Sequence, residues 1–387
     1  MAKLEIEVGT PRVVETHYAY FPFMYRLDNG DLFLKAYCGL DGSLPEEQYR
    51  VIYAEPEGKT VSSDEMLREE LARKDDPTIS NEVMNWSARS HDNGQTWLRC
   101  GAPMGDTLGE LRDGTLITFL TWVKKRDNQK VIKTYRSVDQ GKTWTIHYCP
   151  IHMPASVKKD GDYWVYLFRK AIELDDGSIL VSAYTNFDQP GVKRRRIIVF
   201  RSTDKGMNFD YYGTVACNYN VEAGGFTEPV LQKLANGDIL CVMRTASGFP
   251  SYQCRSTTMG ATWSEPEQTG FTGVDPDLCL LSNGVLACSY GRPGSWVAFS
   301  ADGTGRLWTH RTCIWDTFGG GGFYKKGFYK AERNCGYTSI CAIGPGKALM
   351  ALSAPLQVED QGIITPWDPE QLKNFFIWTV PIDVKLA

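Results

Sequence analysis

The chain has 387 residues, of which 42% are hydrophobic, 23% charged and 12% aromatic, and its 37 glycines and 19 prolines are spread along it, so disordered and collagen-like classes are excluded. A net charge of −4 removes the basic field that holds nucleic acid by counterion release, and no apolar run approaches the roughly 18 residues that span a bilayer. Neither nucleic acid nor membrane is an expected partner.

In chain order, Leu4 to Val8 alternate charged and apolar residues and read as a first strand rather than a signal peptide, which points to the cytoplasm. Tyr18-Ala19-Tyr20-Phe21-Pro22 leads into a hairpin at Asp28-Asn29-Gly30-Asp31-Leu32, and the segment Cys38-Gly39-Leu40-Asp41-Gly42 follows it, with Glu46 and Glu47 behind. Residues from Glu55 to Asn85 are charged, and Ser63 to Leu71 predicts a capped amphipathic helix. We read this stretch as a solvated insertion, at about 55–85, in a single domain covering 1–387.

From residue 90 onward one pattern repeats, Ser-x-Asp-x-Gly-x-Thr-Trp. It occurs at Ser90 to Trp97, at Ser137 to Trp144, more loosely at Ser202 to Phe209, and in degenerate form at Ser256 to Trp263 and Ser300 to Trp308. Asp can accept bonds from the turn's own amides, Gly supplies positive φ, and Thr-Trp opens the next strand with a large ring to bury. The Asp residues of these turns are therefore structural.

A second pattern interleaves with the first. After Asp28 to Leu32 come Arg112-Asp113-Gly114-Thr115-Leu116, Asp175-Asp176-Gly177-Ser178-Ile179, Ala235-Asn236-Gly237-Asp238-Ile239, Ser282-Asn283-Gly284-Val285-Leu286 and, loosely, Gly344 to Lys347. Asn-Gly and Asp-Gly between apolar runs signal hairpins. Two hairpins per unit and six units predict an all-β, six-bladed β-propeller of four-stranded antiparallel blades. The strands Phe375 to Val380 and Leu4 to Val8 would share a blade and close the ring.

Polar residues near the inner hairpins need a reason. Gly224-Gly225-Phe226-Thr227-Glu228-Pro229 is followed by Arg244; Val274-Asp275-Pro276-Asp277 is followed by Arg292; Glu332 to Tyr337 precedes the last hairpin. The eleven cysteines sit singly, with no CxxC pair and no Cys/His spacing suited to zinc, so they read as reduced, buried hydrophobes, and neither a metal nor another cofactor is expected. His17 and His152 are candidate acid/base groups, because imidazole titrates near neutrality.

With these motifs the chain resembles the sialidase (neuraminidase) superfamily of Asp-box, or BNR-repeat, propellers. The resemblance implies that Tyr337 is the nucleophile, that Glu228 takes its proton, and that Arg244 and Arg292 grip a substrate carboxylate. Those residue types suit the chemistry: a phenol with pKa near 10 needs a carboxylate beside it, and Tyr, unlike Asp or Glu, is not repelled by an anionic sugar. Tyr20 occupies the place of the family's first arginine, so it is the third substrate-binding candidate and the clamp has two arginines instead of three. Asp41 is the nearest candidate for the family's acid/base aspartate. Three functions follow as alternatives: an exo-glycosidase releasing a terminal acidic sugar, sialic-acid-like or uronic; a lyase or a hydrolase of other mechanism acting on uronate-containing glycans; or a non-catalytic glycan-binding propeller. The expected partner is an acidic carbohydrate, and the oligomeric state is left open.

Overall fold

The computed structural model describes residues 3–15, 19–38, 53–74, 84–105, 107–127, 129–154, 163–186, 195–217, 221, 224–246, 248–292, 294–315, 337–355 and 375–387. The repeated turns form as their residue types require. Ser90 Oγ accepts the Gly94 amide at 2.8 Å, while the Asp92 carboxylate accepts the Thr96 amide at 2.8 Å and its hydroxyl at 2.6 Å. Those donations hold the Asp92 carboxyl down at about 2. Asp139 and Asp204 repeat the arrangement with Thr143 and Asn208, and Thr258 supplies a hydroxyl in the same place, 2.9 Å from the Thr262 amide. The predicted helix is present as Ser63–Lys74, with Ser62 Oγ accepting the Glu65 amide at 3.1 Å.

The described strands are not arranged as six four-stranded blades. They form five sheets. Three are four-stranded in simple chain order, beginning at Ala19–Arg26, Thr227–Lys233 and Val274–Leu280. A five-stranded sheet joins the two ends of the described chain: Phe375–Leu386 pairs with both Leu4–Val8 and Arg12–Glu15, with Leu4 opposite Leu386. The remaining sheet has ten strands, because the hairpins that would have made two separate blades share ladders at both edges. Leu108 pairs in parallel with Lys170, and Ile151 and His152 pair in parallel with Phe209 and Asp210. With Thr143–His152 also paired to Gln129–Ser137, the ladder returns on itself through eight strands. Gly109 permits a close approach at the first of these edges, since a Cβ there would lie 2.8 Å from the Ala171 carbonyl oxygen. Edge amides and carbonyls brought this near complete each other's bonds rather than stay unpaired.

Apolar cores lie between neighbouring sheets: Val285 and Phe299 meet Leu352 and Val380, and Leu240 and Val242 meet Leu286 and Ala298. The described cysteines are free thiols, and Cys149, Cys241, Cys254, Cys279, Cys288 and Cys341 are buried. Five strands stand side by side in the order Val165–Glu173, Thr227–Lys233, Val274–Leu280, Thr338–Gly344, Ala19–Arg26. Four of these five carry the same irregularity. The ladder slips at Tyr20/Phe23, Phe168/Ala171, Thr227/Val230 and Val274/Asp277, and at each slip one non-glycine residue takes a left-handed conformation: Phe21 (φ 55°), Arg169 (φ 67°), Glu228 (φ 49°) and Asp275 (φ 51°). Three of the four precede proline, which lacks the amide a regular ladder would use. Such bulges re-aim side chains, and here they aim them at one another.

Candidate active site

Tyr337 immediately precedes the strand Thr338–Gly344, Glu228 sits on the bulge of Thr227–Lys233, Arg244 ends the strand Ile239–Arg244, and Arg292 follows Leu286–Gly291. The fold brings all four together. The Tyr337 phenol donates to Glu228 Oε1 at 2.9 Å. Arg244 Nη1 lies 3.3 Å from the other carboxylate oxygen, Oε2, and the Arg292 guanidinium carbon lies 5.7 Å from the centre of the Tyr337 ring. The Phe21 ring packs against the Tyr337 ring with a centroid separation of 3.9 Å.

The electrostatics follow from burial and charge. Burial pushes the Tyr337 phenol well above its ordinary value, the Glu228 charge pushes it further, and Arg244 and Arg292 pull the other way without prevailing. The resting phenol is therefore neutral. Burial opposes the Arg244 charge, but Glu228 and Tyr337 outweigh it and the guanidinium is held more firmly protonated than usual. Arg292 is itself constrained, at φ 53° in a turn closed by its amide donating to Gly294 O at 2.9 Å.

Beside this group lies a second, largely buried one that the sequence did not disclose. Arg169 ion-pairs with Asp275 and lies 3.6 Å from Asp277, while Lys170 Nζ lies 2.9 Å from Asp277 and donates to Leu278 O at 2.5 Å. Asp275 and Asp277 are wholly buried, and Arg169 is 1% exposed. The two aspartates are thus the partners of Arg169 and Lys170. The available signal was Arg169-Lys170 inside the apolar run Val165 to Ile172, where two adjacent cations have no place unless paired.

Most of the other expected site residues lie outside the described residues. The Tyr20 backbone pairs with Tyr37 on Ala19–Arg26, and its side chain lies outside the described residues, as do Asp41, Glu46, Glu47 and His17. His152 is exposed on Thr143–His152, which pairs with none of the strands that carry the four converging residues. Among the described residues, no group of three or more His, Cys, Asp or Glu is placed to hold a metal ion.

The BNR repeat-like domain model matches residues 100–347. No curated protein matches the chain significantly. Among solved structures, a protein of unknown function from Dyadobacter fermentans superposes with a TM-score of 0.66 at 18% identity, covering 98% of this chain and 99% of that one. The NanB sialidase of Streptococcus pneumoniae superposes with a TM-score of 0.58 at 11% identity, over 96% of this chain and 68% of its own. An α-L-arabinanase of Penicillium chrysogenum does so with a TM-score of 0.56 at 15% identity, over 96% and 98%. These structures share the fold, and the sequence match spans well over half of the residues: the chain belongs to the BNR repeat-like domain family.

Proposed function

We propose that the protein is a retaining exo-glycosidase that releases a terminal acidic sugar, sialic-acid-like or uronic, from a glycan. The observation that carries this reading is the Tyr337 phenol donating to Glu228 Oε1 at 2.9 Å, with Arg244 and Arg292 beside the pair. In the first step the Tyr337 oxygen bonds to the anomeric carbon as the glycosidic bond breaks, and the phenolic proton passes to Glu228. Because the phenol is held neutral, that transfer accompanies bond formation rather than preceding it. The leaving oxygen takes a proton from a general acid, the role we propose for Asp41, and water then hydrolyses the glycosyl-tyrosine. Arg244 and Arg292 supply two charge-assisted donors for the sugar carboxylate, and by the sequence resemblance Tyr20 replaces a third.

The test is turnover of 4-methylumbelliferyl glycosides of N-acetylneuraminate, glucuronate and α-L-arabinofuranose. Release of fluorophore from either acidic glycoside, and not from the neutral one, supports the reading. Preferential cleavage of the arabinofuranoside contradicts it. An unsaturated, ultraviolet-absorbing product from a uronate-containing glycan would assign a lyase.

A further inference from the structure

The Tyr337–Glu228 pair is held by a closed circuit of contacts that runs through the buried ion pair beside it. Thr338, next to Tyr337, has both backbone groups engaged: its carbonyl accepts Arg169 Nη2 at 2.5 Å and its amide donates to Asp275 Oδ2 at 3.0 Å. Arg169 is itself ion-paired to that carboxylate, and the Asp275 amide donates to Glu228 Oε2 at 2.9 Å. Glu228 Oε1 closes the circuit by accepting the Tyr337 phenol. The circuit thus ties together four neighbouring strands, Val165–Glu173, Thr227–Lys233, Val274–Leu280 and Thr338–Gly344, and the residue preceding the last of them. Its side of Arg169 is fixed further by the Phe23 and Phe168 rings, 4.9 Å and 5.6 Å from the guanidinium carbon.

Local geometry indicates that stability alone does not account for this arrangement. Arg169, Glu228 and Asp275 all occupy left-handed conformations that cost non-glycine residues about 1–3 kcal/mol each. Asp275 Oδ1 and Arg169 Nε are buried and have no hydrogen-bond partner among the described residues. A fully buried pair contributes little net stability compared with an apolar replacement, so strain and incomplete satisfaction call for another role.

We propose that Arg169 and Asp275 are positioning residues that set the distance between the Tyr337 phenol and Glu228 and hold the phenol protonated until substrate arrives. The inference rests on the assignment of Tyr337 and Glu228 to one reacting pair. The charges facing Asp275 are Arg169 on one side and Glu228 on the other, with Asp277, Lys170, Arg244 and Tyr337 in the surrounding shell. Burial and the Glu228 charge push the Asp275 carboxyl up against the pull of Arg169, and its charge in turn opposes ionisation of Tyr337.

The test uses the full chain and a readout that needs no substrate: the pH dependence of Tyr337 nitration by tetranitromethane, measured on its peptide by mass spectrometry. Asp275→Asn keeps the shape and removes the charge. At a fixed pH of about 9, where the fold is intact, the labelling rate then rises about tenfold. Arg169→Lys keeps the charge but cannot bridge the Asp275 carboxylate and the Thr338 carbonyl with one planar fork. If an acidic glycoside is turned over, Arg169→Lys lowers kcat about tenfold or more with KM within about twofold, the pattern of lost positioning rather than lost binding. A folded Asp275→Asn protein whose Tyr337 labels with the wild-type pH dependence overturns the proposal. Should Asp275→Asn not fold, an unchanged kcat in Arg169→Lys overturns it, and where no glycoside is cleaved an unchanged Tyr337 labelling profile in Arg169→Lys does so. A shifted labelling profile without turnover of any acidic glycoside keeps the positioning role and removes the glycosidase reading.

Discussion

Tyr337 and Glu228 lie 109 residues apart in the chain, yet the phenol of one donates to the carboxylate of the other at 2.9 Å. The contact depends on two local irregularities, a strand that begins just after Tyr337 and a bulge that turns Glu228 into left-handed backbone. Replacing the glutamate by its isostere tests the role directly. Glu228→Gln keeps the volume but cannot take the phenolic proton, so kcat falls about 10²–10⁴-fold, with little change in the binding of an unreactive acidic-sugar analogue measured by calorimetry.

The two arginines carry the selectivity. Arg244→Ala or Arg292→Ala should raise KM and lower kcat for acidic glycosides by about 2–4 kcal/mol in transition-state terms. Arg244→Ala should also lower the melting temperature, since Glu228, 6% exposed, loses the cation 3.3 Å from it. Equal losses on acidic and neutral glycosides would show that neither arginine reads a carboxylate.

Alkaline stability follows from the tyrosines. Burial, the largest cause in each, raises the phenols of Tyr53, Tyr135, Tyr290 and Tyr337, and pushes Tyr148 up to about 12. A group with a folded pKa above its unfolded value of about 10 contributes stability that is complete below pH 10 and is lost as pH rises toward the folded value. The urea midpoint should therefore hold steady to about pH 9 and fall between roughly pH 10 and 12. A midpoint that rises across that range would contradict the assignment of these phenols as buried and neutral.

The hairpins and turns were legible in residue order, whereas the six-bladed arrangement inferred from them was not what the strands form. Asn-Gly and Asp-Gly marked hairpins because few other pairs accept those dihedrals, and Ser-x-Asp turns close with their own side chains, so neither depends on distant contacts. The helix at Ser63–Lys74 was legible for the same reason. The joining of two hairpin sets into one ten-stranded sheet was not, because it depends on how closely two edges approach in space. Arg244 and Arg292 were legible as strand-ending cations, whereas Arg169 was hidden: its role comes from a positive φ and from aspartates more than 100 residues away.

The edge joining can be tested at Gly109. A Cβ at position 109 would lie 2.8 Å from the Ala171 carbonyl, backbone that cannot swing aside. Gly109→Val should cost about 1–3 kcal/mol of unfolding free energy by urea titration. A change of less than about 0.5 kcal/mol would mean that the two edges do not meet there.

The central claim, that Tyr337 attacks the anomeric carbon with Glu228 as its base, is tested most directly by trapping. A fluorinated acidic glycosyl fluoride, which slows the second step more than the first, should leave one glycosyl group on the protein. Peptide mass spectrometry should place that group on Tyr337, and Glu228→Gln should slow its appearance. Turnover of an acidic glycoside with no adduct on Tyr337, or an adduct on a carboxylate instead, would contradict the account.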